Sequence, residues 1–312
     1  MSGLQRLGVG LAALGRPAYI NVGRSSELPF GRSPDGLRQA TWDVLDAAYA
    51  AGIRWVDTAR SYGRAEEFLG EWLSIRAPAD ITVSSKWGYT YVGGWRVDAP
   101  VHEVKEHSVS RYRAQYKETR GLLNGRLAVY QVHSLTMDSP LFEDVPLQEA
   151  IAEAAAEGVR VGFSTSGAAQ ADTIRRALEL EVAGQRLFTT VQSTWNVLET
   201  SAGDALCEAH DEGLHVLLKE VMANGKLAVR PPQALRRMAF ENCTRPDALA
   251  VAAALSRSWA DTILIGAAST AQLASNLEGA TVLLTEPDLE ELAALCLPPT
   301  RYWSDRAALP WT

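Results

Sequence analysis

The chain has 312 residues, a hydrophobic content of 47% and a formal net charge of −7 at neutral pH. The acidic balance argues against a nucleic-acid partner and against an anionic membrane surface. No stretch approaches 18 uninterrupted apolar residues, so we expect no membrane-spanning helix, and the first residues lack the apolar core of a signal peptide. The three cysteines, Cys207, Cys243 and Cys296, are far apart without a CxxC pair, which favours a reducing, cytoplasmic setting.

Helical and strand-like patterns alternate along the chain. A first strand is predicted over residues 7–11, and the Gly-, Pro- and Ser-rich segment 11–34 is expected to form a hairpin or an ordered flap. Further strands are predicted over residues 53–57, 81–86, 127–132, 159–163, 187–192, 214–218 and 262–265. Helices are predicted over residues 37–52, 64–75, 101–123, 147–157, 169–183, 202–212, 246–256, 270–280 and 287–295.

Short loops between alternating strands and helices indicate a parallel sheet, and eight such units predict a (β/α)8 barrel. No linker or low-complexity stretch divides the chain, so we predict a single domain over residues 1–312. Its aromatic-rich tail, residues 298–312, is expected to pack on or near the barrel. In a barrel of this type the functional site lies at the C-terminal ends of the strands.

Four polar residues stand where predicted strands stop. Asp57 ends the second strand, Tyr62 follows five residues later, Lys86 ends the third strand and His133 ends the fourth. Taken singly, each has an ordinary structural interpretation as a turn, a solvated loop residue or a core residue. Together, at successive strand ends of one barrel, they predict a catalytic group.

The four residue types suit proton delivery to a carbonyl oxygen. An ammonium at Lys86 would lower the pKa of the Tyr62 phenol, and a carboxylate at Asp57 would keep that lysine charged and in place. The His133 imidazole can donate a hydrogen bond to a substrate oxygen. Hydride must come from a cofactor, because no side chain can supply one. A Schiff-base lyase or aldolase acting through Lys86 is an alternative that the same residues allow.

The chain resembles the aldo-keto reductase family in an ordered set of short motifs. The matching pieces are residues 52–59, 61–63, 84–87, 132–134, 162–164, 191–192, 266–268, 272–273 and 276–277. This resemblance implies a (β/α)8 barrel that uses NADPH to reduce an aldehyde or ketone, a small-molecule carbonyl substrate. It implies that Tyr62 is the general acid, with Asp57, Lys86 and His133 as its partners.

The resemblance also implies contacts to a nicotinamide cofactor. Ser164 and Gln192 match the family's carboxamide-binding residues, whereas Thr165 stands where asparagine is usual and Lys219 where an aromatic ring usually stacks. We expect the remaining cofactor contacts at Gly10, Leu11, Asp57, Gly266, Ala267, Ser269, Thr270, Gln272 and Asn276. NADPH is the expected cofactor, and NADH stays open because residues 266–272 supply no cation for a 2′-phosphate.

Three tryptophans are candidate substrate-pocket residues: Trp87 and Trp95 in the segment after Lys86, which also contains Tyr89 and Tyr91, and Trp195 after the sixth strand. Each could equally be a packed core or loop residue. His210 and His215 lack the HExxH spacing, so no metal site is predicted. The departures at Thr165 and Lys219 leave a low-turnover, NADPH-binding regulatory protein as a further alternative. No pattern indicates an oligomeric state.

Overall fold

Eight parallel strands close into a barrel in the computed structural model, which describes residues 3–312. Met1 and Ser2 of the predicted domain lie outside the described residues. The barrel strands are β1 Leu7–Gly10, β2 Trp55–Asp57, β3 Thr82–Trp87, β4 Leu127–Leu135, β5 Arg160–Thr165, β6 Thr190–Thr194, β7 His215–Lys219 and β8 Thr262–Ile265. Neighbours in the chain are neighbours in the barrel, and β8 pairs with β1 to close it. The predicted (β/α)8 barrel is therefore confirmed.

The helices form the outer ring. Within the described residues they are α1 Pro34–Ala50, α2 Ala65–Arg76, α3 Val109–Leu122, α4 Val145–Ala156, α5 Gln170–Leu178, α6 Gly203–Asp211, α7 Lys226–Val229, α8 Gln233–Glu241, α9 Pro246–Leu255, α10 Thr270–Leu277, α11 Glu286–Ala293 and α12 Pro299–Ala307. Helix α1 begins three residues before its predicted start, because the Ser33 hydroxyl accepts a hydrogen bond from the Gly36 amide and Pro34 suits a first turn.

The predicted helix over residues 101–123 is wrong in its first third. Residues Glu103–Lys105 instead form a strand that pairs antiparallel with Tyr89–Tyr91, and α3 starts only after Ser108. The Ser108 hydroxyl caps the helix by accepting from the Arg111 amide at 3.2 Å. This hairpin, residues 89–105, projects from the C-terminal end of β3 and contributes to the barrel mouth.

The predicted helix over residues 169–183 is also too long. Helix α5 ends at Leu178, and a short antiparallel ribbon joins Glu181–Val182 to Gln185–Arg186. The ribbon turns at Ala183 and Gly184, whose φ angles of 51° and 73° both lie in the left-handed region, as a tight two-residue hairpin requires. Gly184 was therefore misread as a helix end. The short helices α7, α8 and α12 were not predicted.

The two ends of the barrel differ in character. Near the N-terminal end of the strands, the Trp55 indole stacks on the His215 imidazole with ring centroids 4.8 Å apart, and Val129, Leu217 and Leu264 pack with it. The other end opens into a cavity. Segment 11–33 borders this opening as an ordered flap, because the buried Arg24 guanidinium donates to the carbonyl oxygens of four residues, Ala13, Arg16, Pro17 and Thr312.

Candidate active site

A close backbone contact places Tyr62 at the barrel mouth. A Cβ atom on Gly15 would lie 2.1 Å from the Tyr62 carbonyl oxygen, so only glycine permits this approach. The Gly15 carbonyl accepts from the Arg64 amide at 2.8 Å, and the Tyr62 amide donates to Ala59 at 3.0 Å. These contacts fix the turn after β2 against the segment after β1, with the tyrosine between them.

The structure brings the four predicted catalytic residues together. Lys86, fully buried, forms an ion pair with Asp57 and donates to the Thr58 carbonyl at 3.1 Å. Its Nζ atom lies 5.2 Å from the centroid of the Tyr62 ring. The Tyr62 and His133 rings meet edge to face, with centroids 5.6 Å apart. A carboxylate, an amine, a phenol and an imidazole thus form one contiguous group.

The protonation states of this group follow from burial. Burial, and then the negative charge of Asp57, raises the pKa of Tyr62 well above the ordinary phenol value, although the Arg16 cation opposes this. Burial and the Asp57 charge therefore outweigh any lowering of this pKa by the Lys86 ammonium. Burial, followed by the cations Lys86 and Lys219, lowers the pKa of His133 well below its usual value. At neutral pH the phenol keeps its proton and the imidazole is neutral.

Three of the four residues line a cavity of about 410 Å³ that extends beyond the barrel mouth. Asp57, Tyr62 and His133 line it, whereas Lys86 lies beneath them. Its aromatic wall consists of Tyr19, Tyr89 and Trp311. The tail is held there because Tyr19 and Thr312 exchange backbone hydrogen bonds of 3.2 and 3.1 Å. The cavity then continues outward to side chains of α9 and α10, namely Asp247, Gln272 and Asn276.

Two ion pairs in the cavity wall were not expected from the sequence. The Arg16 guanidinium is almost fully buried, pairs with Glu103 and lies 5.2 Å from the centroid of the Tyr62 ring. Arg306 of α12 donates from Nε to Glu220 Oε2 at 2.9 Å. These partners come from segments far apart in the chain, and no local pattern around Arg16 or Arg306 could have indicated the pairing.

Lys219 is the last residue of β7 and Glu220 follows it, but burial and neighbouring charges shift their pKa values for different reasons. The Lys219 Nζ atom donates to Thr194 Oγ1 at 2.7 Å, and burial lowers the pKa of this lysine to about 8. Burial alone would raise the pKa of Glu220, but Arg306 and Lys219 outweigh it and lower that pKa to about 2. Lys219 therefore lines the cavity with an ammonium that loses its proton more readily than that of an ordinary lysine.

The predicted cofactor residues divide into two groups. Gly10, Asp57, Gln192, Lys219, Gly266, Gln272 and Asn276 line the cavity, whereas Leu11, Ser164, Thr165, Ala267, Ser269 and Thr270 do not. The Ser164 hydroxyl accepts from the Ser134 amide at 2.9 Å and is fully buried. Thr165 is hydrogen-bonded to Ser193 at 2.7 Å. Ser166, one residue further on, lines the cavity and was missed, although its place just after β5 could have indicated it.

None of the three predicted pocket tryptophans lines this cavity. Trp87 is a buried residue of β3 that packs edge to face on Tyr112. The indole of Trp95 donates to the Arg32 carbonyl at 3.0 Å. Trp195 borders a separate, smaller cavity beside Trp259. The aromatic cavity wall is built by Tyr19, Tyr89 and Trp311, so Tyr89 is the ring of the segment after Lys86 that faces the cavity.

The polar lining fits a nicotinamide dinucleotide in its general chemistry. Side-chain amides, hydroxyls and the open backbone at Gly266 extend from the mouth to α10, and nothing lies within 4 Å of a Cβ atom placed on that glycine. Within residues 3–312, no three His, Cys, Asp or Glu side chains are grouped as metal ligands. None of the helices in that range is long and apolar enough to cross a bilayer.

The barrel and its polar mouth define a (β/α)8-barrel protein with its site at the C-terminal strand ends. A sequence model described as "Aldo/keto reductase family" matches residues 7–296. The chain therefore belongs to the aldo/keto reductase family, a family of oxidoreductases, and the resemblance seen in its motifs is confirmed.

The relatives described next are distant in sequence. An aryl-alcohol dehydrogenase [NADP(+)] of Phanerodontia chrysosporium is 22% identical over 197 residues, which make up 61% of this chain and 50% of that protein. The holo form of an aldo-keto reductase from Bacillus halodurans superposes with a TM-score of 0.69 at 20% identity, covering 96% of each chain. A glycerol dehydrogenase from Gluconobacter oxydans also gives 0.69, at 19% identity, over 93% of this chain and 90% of its own. At these identities the structures share the fold.

Proposed function

We propose that the protein reduces an aldehyde or ketone to an alcohol, with Tyr62 as the general acid. The observation that carries this proposal is the contiguous group of Asp57, Lys86, Tyr62 and His133 at the mouth of the cavity. When bound, a nicotinamide dinucleotide supplies the hydride that no side chain carries. Family membership supports the same chemistry.

The raised pKa of Tyr62 suits the reductive direction, because the acid must hold its proton until the carbonyl oxygen becomes negative. Tyr62 then transfers that proton to the oxygen and becomes a phenolate. The Lys86 and Arg16 cations, each 5.2 Å from the ring centroid, stabilise the phenolate until solvent returns a proton. The Nδ1 atom of the neutral His133 lies 3.4 Å from the Ser61 hydroxyl. Its other ring nitrogen, Nε2, is then free to donate a hydrogen bond to the substrate oxygen.

The environment of Lys86 disfavours the Schiff-base alternative. A Schiff-base amine must be neutral and within reach of a carbonyl carbon. Lys86 is fully buried, paired with Asp57 and absent from the cavity lining. The cavity itself suits a small, polar carbonyl substrate better than a large apolar one. Aromatic rings and two ion pairs wall its volume of about 410 Å³.

The direct test is Tyr62→Phe, which keeps the ring and removes the acid. We expect kcat for carbonyl reduction to fall roughly 10³-fold, within the range for loss of a general acid. The Kd for the reduced dinucleotide, measured by fluorescence titration, should stay the same. Unchanged turnover in this variant, across a panel of aldehydes, ketones and sugars, would show that Tyr62 is not the acid.

A further inference from the structure

The outer end of the cavity is the place for the adenosine half of a dinucleotide. Asp247 and Asn276 belong to helices outside the barrel, whereas Tyr62 and His133 lie at its mouth. If hydride is delivered beside Tyr62, the nicotinamide occupies the mouth and the rest of the molecule must extend towards α9 and α10. This step rests on the proposed function.

The first turn of α10 already holds a carboxylate. The hydroxyl of Ser269, the residue that caps the helix, donates to Glu27 Oε2 at 2.6 Å. The same hydroxyl accepts from the Gln272 amide at 3.2 Å, and the Gln272 side-chain oxygen accepts from the Ala268 amide at 2.9 Å. A phosphate arriving here would meet occupied donors and the negative charge of Glu27.

A second carboxylate, that of Asp247, lines the outer end of the cavity. Asp247 is largely buried, and its Oδ2 atom accepts from Ser275 Oγ at 2.6 Å and Asn276 Nδ2 at 2.8 Å. A carboxylate is a suitable acceptor for a ribose hydroxyl, whereas a 2′-phosphate requires a cation such as arginine. The exposed Arg245, the residue just before α9, reaches this region with Nη1 3.3 Å from Ser275 Oγ.

We propose that Glu27, with Asp247, makes this enzyme select NADH over NADPH. Two carboxylates at the adenosine end accept hydroxyl donors and repel a doubly charged 2′-phosphate. The preference opposes the NADPH predicted from the family resemblance. It arises because segment 11–33 lays a glutamate against the helix that would otherwise be free to receive the phosphate.

Equilibrium binding tests this without turnover. We expect the wild-type protein to bind NADH at least about tenfold more tightly than NADPH in fluorescence titrations, a difference that like-charge repulsion readily produces. Glu27→Gln should lower the ratio of the NADPH Kd to the NADH Kd about fivefold, and Glu27→Lys should lower it further. Glu149→Gln, which removes an exposed glutamate on α4, is the matched control and should leave the ratio unchanged.

The outcomes separate the two proposals. If neither nucleotide binds, the proposed function itself fails. If wild-type protein binds NADPH as tightly as NADH or more tightly, the dinucleotide site stands and the selectivity is overturned. An unchanged ratio in Glu27→Gln would refute the role of Glu27. A loss of NADPH affinity alone in Arg245→Met would show that Arg245 receives the phosphate, which also contradicts the proposal.

Discussion

The two ends of the cavity are built in different ways. At the mouth, Asp57, Lys86 and His133 come from three consecutive barrel strands, and the barrel itself brings them together. At the outer end, Glu27 comes from a flap and Ser269 from the start of a helix 242 positions away. The mouth is thus a property of the fold, whereas the outer end depends on how one irregular segment lies on the barrel. We therefore expect chemistry to be set at the first and cofactor selection at the second.

Lys86→Met should give the largest contrast between the two ends of the cavity, because it should lower kcat strongly and leave the NADH Kd nearly unchanged. Loss of the Lys86 ammonium removes a cation that stabilises the Tyr62 phenolate. We therefore expect kcat to fall at least about 100-fold. It also leaves Asp57 buried and unpaired, which should cost about 3–5 kcal/mol of unfolding free energy. The NADH Kd, set largely at the outer end, should change little. Urea denaturation, steady-state kinetics and fluorescence titration measure the three quantities.

A double variant keeps this test independent of folding. Asp57→Asn combined with Lys86→Met removes both buried charges, so most of the lost stability should return. Activity should remain low, because the cation is still missing. Recovery of activity together with stability would mean that the ion pair only supports the fold.

The same contrast explains what the sequence could predict. Short apolar runs alternating with helical patterns, some of them ended by a glycine, predicted all eight barrel strands, and the strand ends predicted a group that does meet at the mouth. Segment 11–33 has no such periodicity, so the contacts of Arg16, Arg24 and Glu27 could not be foreseen. Of the aromatic residues after Lys86, Tyr89 does line the cavity, whereas Trp87 still belongs to β3 and packs on Tyr112. Trp95 lies between the two strands of the hairpin, and the spacing does not encode its direction.

Asn276→Ala should affect the outer end alone. It removes a side-chain amide that lines the cavity. It also removes the hydrogen bond of 2.8 Å that Asn276 Nδ2 donates to Asp247 Oδ2. We expect the NADH Kd to rise about tenfold, equivalent to one lost hydrogen bond to a charged group. At saturating NADH, kcat should stay within about twofold of the wild-type value. A fall in kcat with an unchanged NADH Kd would contradict the assignment of cofactor binding to the outer end and chemistry to the mouth.

The smallest effect is expected where the flap meets the mouth, at Arg16. Its guanidinium favours the phenolate form of Tyr62, so Arg16→Met should raise the pKa of that tyrosine further. Reduction needs the protonated phenol and should keep its pH profile near neutrality. Alcohol oxidation needs the phenolate as base, so the rising limb of its pH profile should move upward by up to about one unit.

Arg16 also donates to the Ser61 carbonyl at 2.9 Å, so its loss could disturb the turn that carries Tyr62. A displaced turn lowers the oxidation rate by the same factor at every pH, whereas a lost cation shifts the limb. Arg16→Lys keeps the charge and should restore the limb even if the rate stays reduced. A profile that only drops in height, and that lysine does not alter, would show that the flap positions Tyr62 without tuning it.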